Sequence, residues 1–364
     1  MSIETLFQPL AFTRGPAMKN RFMLSPLTNQ QSHADGRLSD EEFRWLTMRA
    51  QGGFGLTMTC AAHVQAVGQG FPGQLGVFSD DHVEGLTRLA SAIRAAGSVA
   101  SMQLHHAGNR SPKDLVGQPV GPSDDPASGA RALTQAEVPA LVESFVLAAE
   151  RAERAGFDGV EIHGAHGYIV AQFLSGEVNR REDRYGGSLE NRARVLFEII
   201  DGVRARCRPD FQLGLRLSPE RFGLKLAEIL EMTQEILRRG DIDFLDMSLW
   251  DVMKAPLEED FQGSSLMSYF TALDRGNVRL GVAGKVATPA IAGQMLDQGA
   301  DYVLIGRAAV LHHDFPRRAQ QDPTFEPIAL PAPRAHLARE GLSPAFIEYM
   351  SNWPGFVEPA EVAA

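Results

Sequence analysis

What most constrains this chain is the recurrence of short apolar runs, each closed by turn residues and followed by a stretch with helical spacing. The runs are FMLS (22–25), FGLTMTC (54–60), VASMQL (99–104), GVEIH (159–163), LGLRLS (213–218), DFLDMS (243–248), RLGVA (279–283) and DYVLIG (301–306). Continuous rather than alternating apolar character suits strands buried on both faces, and the intervening helices suit parallel crossovers. Eight such units predict an α/β fold, a closed TIM (β/α)8 barrel. The same periodicity also fits an open doubly wound sheet. No linker or low-complexity tract divides the 364 residues. The expected organisation is therefore one domain over 1–364, with the barrel at about 19–316 and a C-terminal extension at about 317–364.

The helical stretches carry their own punctuation. Leu141, Val142, Phe145, Ala148, Ala149 and Ala152 share one helical face, and Gly156 follows as a left-handed stop. Val195, Ile199, Ile200 and Val203 make a second buried stripe. Thr288 and Pro289 supply an N-cap and a proline at the first helical position. Two regions stand outside the repeat. Residues 109–133, rich in Gly, Pro, Ser and Asp, are expected as a lid excursion after strand 3. The tail ends in a short helix opened by Ser343 and Pro344, then Trp353 and Phe356, aromatics that need cover from this barrel or from a neighbouring copy, which leaves a homo-oligomer open.

Composition excludes several classes of function. No run reaches the ~20 apolar residues of a spanning helix, and the start has no pattern for export, so a cytoplasmic protein without membrane contact is expected. A net charge of −10 argues against nucleic acid as a partner. The two cysteines, Cys60 and Cys207, are too few for a disulfide framework or a cysteine-ligated cluster.

In such a barrel the chemistry gathers at the C-terminal strand ends. Polar residues do accumulate there: Ser25 and Thr28 after the first strand, Gln103 and His106 around the third, His163 and His166 after the fourth, Arg216 in the fifth and Trp250 after the sixth. Ala283, Gly284 and Lys285 end the seventh, Gly306 and Arg307 the eighth; a glycine backbone beside a guanidinium there suits a phosphate. Arg216, flanked by apolar residues, needs an electron-rich partner, and the N1/O2 edge of a flavin is one. Gln103 suits the pyrimidine edge of the same ring. A structural salt bridge for Arg216 and a satisfied core amide for Gln103 are equally open. A His-x-x-His pair taken alone is more often structural, and without a third ligand it makes no zinc site, so no metal is expected.

The run GVEIHGAHGYIVAQFLSGEVNRREDRYGGSLENRARVLFEII (159–200), with KNRFMLSPLT (19–28), QLHHAG (103–108) and the GVAGK and IGRAA segments, resembles the Old Yellow Enzyme family of FMN-dependent ene-reductases. The resemblance implies a TIM barrel with non-covalent FMN across the strand ends and NAD(P)H as hydride donor. It implies Pro26, Leu27, Thr28 and Ala61 along the flavin, with Ser25 also among the cofactor-binding residues, Gln103 at the pyrimidine edge and Arg216 at N1/O2. The phosphate falls to Ala283, Gly284, Lys285, Gly306 and Arg307. His163 and His166 match the pair that holds the substrate oxygen, Tyr168 the proton donor, and Trp250 a substrate contact. Arg181, Asp183 and Tyr185 match a structural signature locking the loop after the fourth strand. Gly176, Ala283 and Asn109 depart from the usual residues, and Cys60 has no assigned role. The implied reaction is ping-pong reduction of an electron-poor alkene, an enone or nitroalkene. The helical spacing of His163 and His166 is expected to aim both at one spot, with the following IVAQFL as packing. The alternatives are a flavin-binding redox sensor, for which a proton donor has no use, and another FMN-barrel dehydrogenase, which generally uses a Cys or Ser base.

Overall fold

The computed structural model describes residues 3–360. Eight parallel strands close a barrel in sequence order: β1 (Phe22–Leu24), β2 (Leu56–His63), β3 (Val99–His105), β4 (Gly159–Gly164), β5 (Gln212–Leu217), β6 (Phe244–Ser248), β7 (Arg279–Ala283) and β8 (Tyr302–Ile305), with β8 returning to pair β1. The expected barrel is thus the observed one, and closure, not an open sheet, answers the periodicity. Helices α1 (Asp40–Gln51), α2 (Val83–Ala95), α3 (Glu137–Arg154), α4 (Ile169–Leu174), α5 (Leu189–Arg206), α6 (Leu226–Arg239), α7 (Leu266–Thr271), α8 (Pro289–Asp297) and α9 (Arg307–Leu311) follow successive strands. Helices α10 (Phe315–Gln321), α11 (Arg334–Arg339) and α12 (Pro344–Ser351) belong to the tail. No helix among the described residues is long and apolar enough to cross a membrane.

The helix signals act as the residues dictate. In α3, Leu141, Phe145, Ala148, Ala149 and Ala152 are buried, while Val142 lies at the edge of the stripe, half-buried. Gly156 takes the left-handed conformation at φ 86°. The Thr288 hydroxyl accepts from the Ile291 N–H at 3.3 Å with Pro289 behind it, and Ser188 caps α5 in the same way from Asn191.

Strand β2 carries a feature invisible in its apolar pattern. Its pairing with β3 slips between Met58 and Ala61, so that Ala61 faces Gln103 and His63 faces His105. The extra residue changes which alternate side chains point inward. Leu56 and Met58 fill the barrel interior below the bulge, and Ala61 is turned to the mouth above it.

No residue of the excursion at 109–133 lines the cavity at the strand ends, although Arg110 at its start lies over the Tyr168 ring. Its two short strands at 120–121 and 131–132 lie beside the loop after β4, where Arg181 donates to the Pro122 carbonyl at 2.9 Å and Arg180 N–H to Ser123 Oγ at 2.8 Å. Arg181 also pairs with Asp183, and the Tyr185 hydroxyl donates to Glu198 at 3.1 Å, so the RREDRYGG stretch is the lock the resemblance implied. Cover comes from the tail, on its own barrel. Phe346 meets the Trp45 ring at 5.5 Å, the Arg49 guanidinium donates to the carbonyls of Ala309 and Glu340, and Ser343 N–H donates to Gln31. Phe356 is buried, while Trp353 keeps 41% of its surface exposed at the rim.

Candidate active site

One cavity opens at the C-terminal strand ends, and each strand's contribution follows from where its last inward residue stands. Pro26, Leu27 and Thr28 come from the loop after β1, Ala61 from β2, Gln103 and His105 from β3. His163, His166 and Tyr168 come from β4 and its loop, Arg216 from β5, and Arg307 and Val310 from α9. Phe71 and the tail residues Phe346, Tyr349, Met350 and Trp353 complete the wall. These tail residues, Phe71, Val310 and His105 were not assigned to the site from the sequence. The β3 alternation was a usable signal for His105: Gln103 and His105 share a face. His106, expected at the mouth, points the other way, its Nε2 3.1 Å from Gln65 Oε1.

The histidine pair meets for a different reason than helical spacing. His163 is the next-to-last residue of β4, and His166 sits in a left-handed turn at φ 59° followed by Gly167 at φ 71°; α4 begins only at Ile169. A non-glycine residue held there is strained, and such strain concentrates at functional sites. The turn brings His166 Nδ1 to 3.2 Å from His163 Nε2. Because His163 Nδ1 accepts from the Ala165 N–H, its proton sits on Nε2 and is donated to His166. His166 then donates from Nε2 to Ser248 Oγ at 2.7 Å. Burial first depresses both imidazoles well below the usual histidine range, followed by the charges of His166 and Arg216 at His163 and of Arg216 and Arg110 at His166, so both are neutral donors.

Tyr168 stands at the N-cap of α4 with its ring edge-on to His105 at 4.4 Å and His163 at 5.1 Å. Arg110 lies over its face at 5.1 Å. Burial raises the phenol's pKa, which Arg110 only partly opposes, so the hydroxyl keeps its proton at neutral pH. Gln172, in the stretch read as packing, is a polar clip. It donates to the carbonyls of Ala107 and Gly167 at 3.0 and 2.8 Å and accepts from Asn109 N–H at 3.1 Å, tying the loops after β3 and β4 together. Replacing Gln172 by Leu is expected to orphan these backbone groups and lower unfolding stability by about 1–3 kcal/mol. A denaturant midpoint equal to that of the parent would refute the clip.

The remaining predicted residues are placed as follows. Arg216 is buried, its Nε 2.9 Å from Asp246 Oδ2 though out of line for a hydrogen bond, and its Nη2 3.4 Å from Ser248 Oγ. The salt bridge and the cavity position coexist. Ser25 lies beneath the cavity, donating its N–H to Ile305, and Ala283 is buried inside the barrel. Gly284 and Gly306 end neighbouring strands. A side chain at Gly284 would strike the Trp250 and Asp251 backbone at 2.8 Å, whereas one at Gly306 would meet only Ser25 and Leu27 at 3.8–3.9 Å. The Lys285 amine is exposed and pairs with Asp251 at 2.9 Å. Trp250 does not fit the expected substrate contact: its ring is half exposed, lies under Arg221 at 4.8 Å and is absent from the cavity wall.

The donor set fits FMN. A buried guanidinium, an amide and a hydroxyl converge on one apolar-walled slot, and Gly306, with free space around it, precedes the cavity residue Arg307. The first N–H groups of α9 there have no helical acceptor. Elsewhere, His312, His336 and Glu340 bring ligand atoms within 4.8 Å of one another. Both Nε2 atoms are committed, His312 Nε2 accepting from Ile328 N–H at 3.0 Å and His336 Nε2 donating to the Leu311 carbonyl at 2.7 Å, while His312 Nδ1 has no hydrogen-bond partner. That cluster fastens the tail to α9.

Residues 5–325 match the model of the NADH:flavin oxidoreductase / NADH oxidase family. A probable NADH-dependent flavin oxidoreductase of Bacillus subtilis is 36% identical over 84% of each chain, and the NADPH dehydrogenase of Halalkalibacterium halodurans is 34% identical over 84% of this chain and 91% of its own. Some relatives are longer: the chain spans 36% of the NADH:fumarate oxidoreductase of Klebsiella pneumoniae, at 32% identity. Among solved structures, the Old Yellow Enzyme homologue of Zymomonas mobilis superposes with a TM-score of 0.78 at 30% identity, covering 88% of this chain and 94% of that one. Morphinone reductase does so with a TM-score of 0.77 at 28% identity, covering 100% and 96%. With the barrel, the slot at its strand ends and these matches together, the chain belongs to the NADH:flavin oxidoreductase / NADH oxidase family, the Old Yellow Enzyme family of FMN-dependent, NAD(P)H-using oxidoreductases.

Proposed function

We propose that the protein reduces the activated C=C bond of α,β-unsaturated carbonyl or nitro compounds, in two half-reactions that use the same cavity. The observation that carries this reading is the convergence of two neutral imidazoles and a protonated phenol on one slot. FMN supplies the redox chemistry when bound, taking hydride from NAD(P)H and giving it to the alkene β-carbon. In this reading Pro26, Leu27 and Ala61 line the ring, Thr28 hydrogen-bonds its O4/N5 side, and Gln103 and Arg216 hold the pyrimidine edge. Gly284, Lys285, Gly306 and Arg307 hold the phosphate, mostly through backbone N–H groups, with Ser25 and Ala283 packed behind them.

His163 and His166 donate to the substrate oxygen, which gains negative charge as hydride arrives. For this the His163 Nε2 proton exchanges His166 Nδ1, and the His166 Nε2 proton exchanges Ser248 Oγ, for the substrate oxygen. Tyr168 protonates the α-carbon and is replenished from solvent. The apolar roof of Phe71, Phe346, Met350 and Trp353 favours small, weakly polar alkenes over charged ones.

The test is to purify the protein, measure FMN released on denaturation, and follow anaerobic reduction by NADH and NADPH and reoxidation by enones and nitroalkenes. Stoichiometric FMN and fast reoxidation are expected. A protein reduced by either nicotinamide but not reoxidised by any such alkene would sink the ene-reductase assignment.

A further inference from the structure

One layer beneath the cavity the barrel interior holds two carboxyls and one guanidinium. Strand register sets Asp246 of β6 opposite Arg216 of β5, and Glu161 of β4 opposite Gly214, two residues before Arg216 on the same face. Glycines make the room: a side chain at Gly214 would strike the Phe244 ring at 2.0 Å, and one at Gly281 the Tyr302 ring at 2.2 Å. Glu161 and Asp246 are both fully buried. Gln103 Nε2 donates to Glu161 Oε1 at 2.7 Å, but Glu161 Oε2, both Asp246 oxygens and the Tyr302 hydroxyl have no hydrogen-bond partner. His105 of β3, His163 of β4 and Tyr302 of β8 also border this layer, all uncharged at neutral pH. Among the described residues Arg216 is the cation acting on either carboxyl.

Two anions sharing one cation in a dry interior leave one uncompensated charge, which costs several kcal/mol. A carboxylic acid proton removes that cost and turns an orphaned oxygen into a donor. We propose that Glu161 is a neutral acid in the working protein, leaving Asp246 as the sole counter-charge of Arg216 and thereby a positioning residue that sets how much positive charge Arg216 presents to the flavin. Burial, followed by the charge of Asp246, pushes the Glu161 carboxyl up to about 8. Burial raises Asp246 to about 6, the nearby Arg216 opposing it. The order agrees with the charge count. The tuning half rests on the reading that Arg216 faces the flavin's pyrimidine edge.

The experiment uses the holoenzyme in three forms, parent, Glu161→Gln and Asp246→Asn, with two readouts. Infrared difference spectra at pH 7 should contain the carbonyl stretch of a protonated carboxylic acid, lost in Glu161→Gln. Redox titration should show a midpoint potential raised in Asp246→Asn, where Arg216 loses its counter-charge, and moved far less in Glu161→Gln, where one neutral group replaces another. Absence of the protonated-acid band, or a larger shift from Glu161→Gln than from Asp246→Asn, overturns the protonation claim. A band that behaves as expected with a potential unmoved by Asp246→Asn overturns the tuning claim and, with it, the orientation of Arg216 toward the flavin. Should Asp246→Asn fail to fold, Asp246→Glu, which keeps the charge but moves it, reads the same potential.

Discussion

Replacing Tyr168 by Phe is expected to slow the alkene half-reaction by about 10²–10⁴-fold, the usual contribution of a positioned general acid, while leaving reduction of the flavin by NAD(P)H nearly intact. The asymmetry follows from what each half-reaction needs. Hydride leaving the nicotinamide requires no proton from the protein, whereas the α-carbon of the reduced alkene must acquire one. The phenol can supply it because burial holds its pKa above the ordinary tyrosine value, and its hydroxyl shares the cavity with both imidazoles. Phenylalanine keeps the ring, and with it the edge-on contacts to His105 and His163 and the Arg110 guanidinium over the face. The geometry of the turn therefore survives and only the proton is removed. Stopped-flow measurement of the two half-reactions separates the effects. Equal losses in both would mean that the substitution had disturbed the slot, and no loss in the second would remove Tyr168 from the proton's path.

The residues show why part of this was legible in sequence and part was not. Strand positions follow from local apolar character, and caps such as Ser188 and Thr288 follow from side-chain chemistry within three residues of the helix start. Both are short-range properties. The β2 bulge is not, because whether Ala61 or its neighbour faces inward depends on pairing with β3. His106 was misplaced because the alternation of β3, which sets Gln103 and His105 inward and turns the next residue away, was not applied to it. The His163/His166 pair was found from the residues that carry it, yet the reason for its geometry was wrong; a left-handed His166, not a helix, makes the rings meet. The tail's role depends on contacts such as Trp45 with Phe346, some 300 positions apart, for which a single sequence carries no register. Trp250 failed similarly, since a strand-end position says nothing about which way a loop with φ 65° turns its side chain.

Acidification below pH 6.5 is expected to destabilise the protein steeply, by roughly 2–4 kcal/mol between pH 6.5 and 5.5, because the site is built from buried neutral histidines. Burial is the leading cause in each: it lowers His63 to about 4 and His106 to about 3, and it takes His105, His163 and His166 well below the ordinary value. The unfolded chain binds protons near 6.5 that the folded chain refuses, so this stability is complete above pH 6.5 and falls as pH drops, at about 1.4 kcal/mol per histidine per pH unit. Raised carboxyls act in the opposite sense. Glu161 and Asp246, taken by burial to about 8 and about 6, contribute stability that is complete below their unfolded values and lost as pH rises through the folded ones. Glu42 and Asp158, also raised by burial, add to that side. With His312, also lowered by burial to about 4, six histidines outweigh these carboxyls by about two to three protons near pH 5.5, which gives the stated loss by linkage. Urea midpoints at pH 7.5, 6.5 and 5.5 with saturating FMN measure it. His106→Gln, which retains an amide to meet Gln65 outside the cavity, should reduce the slope by about one proton, or ~1.4 kcal/mol per pH unit. A midpoint that is flat or rises on acidification would show that these imidazoles are protonated in the fold, and the neutral donor pair at the active site would fall with them.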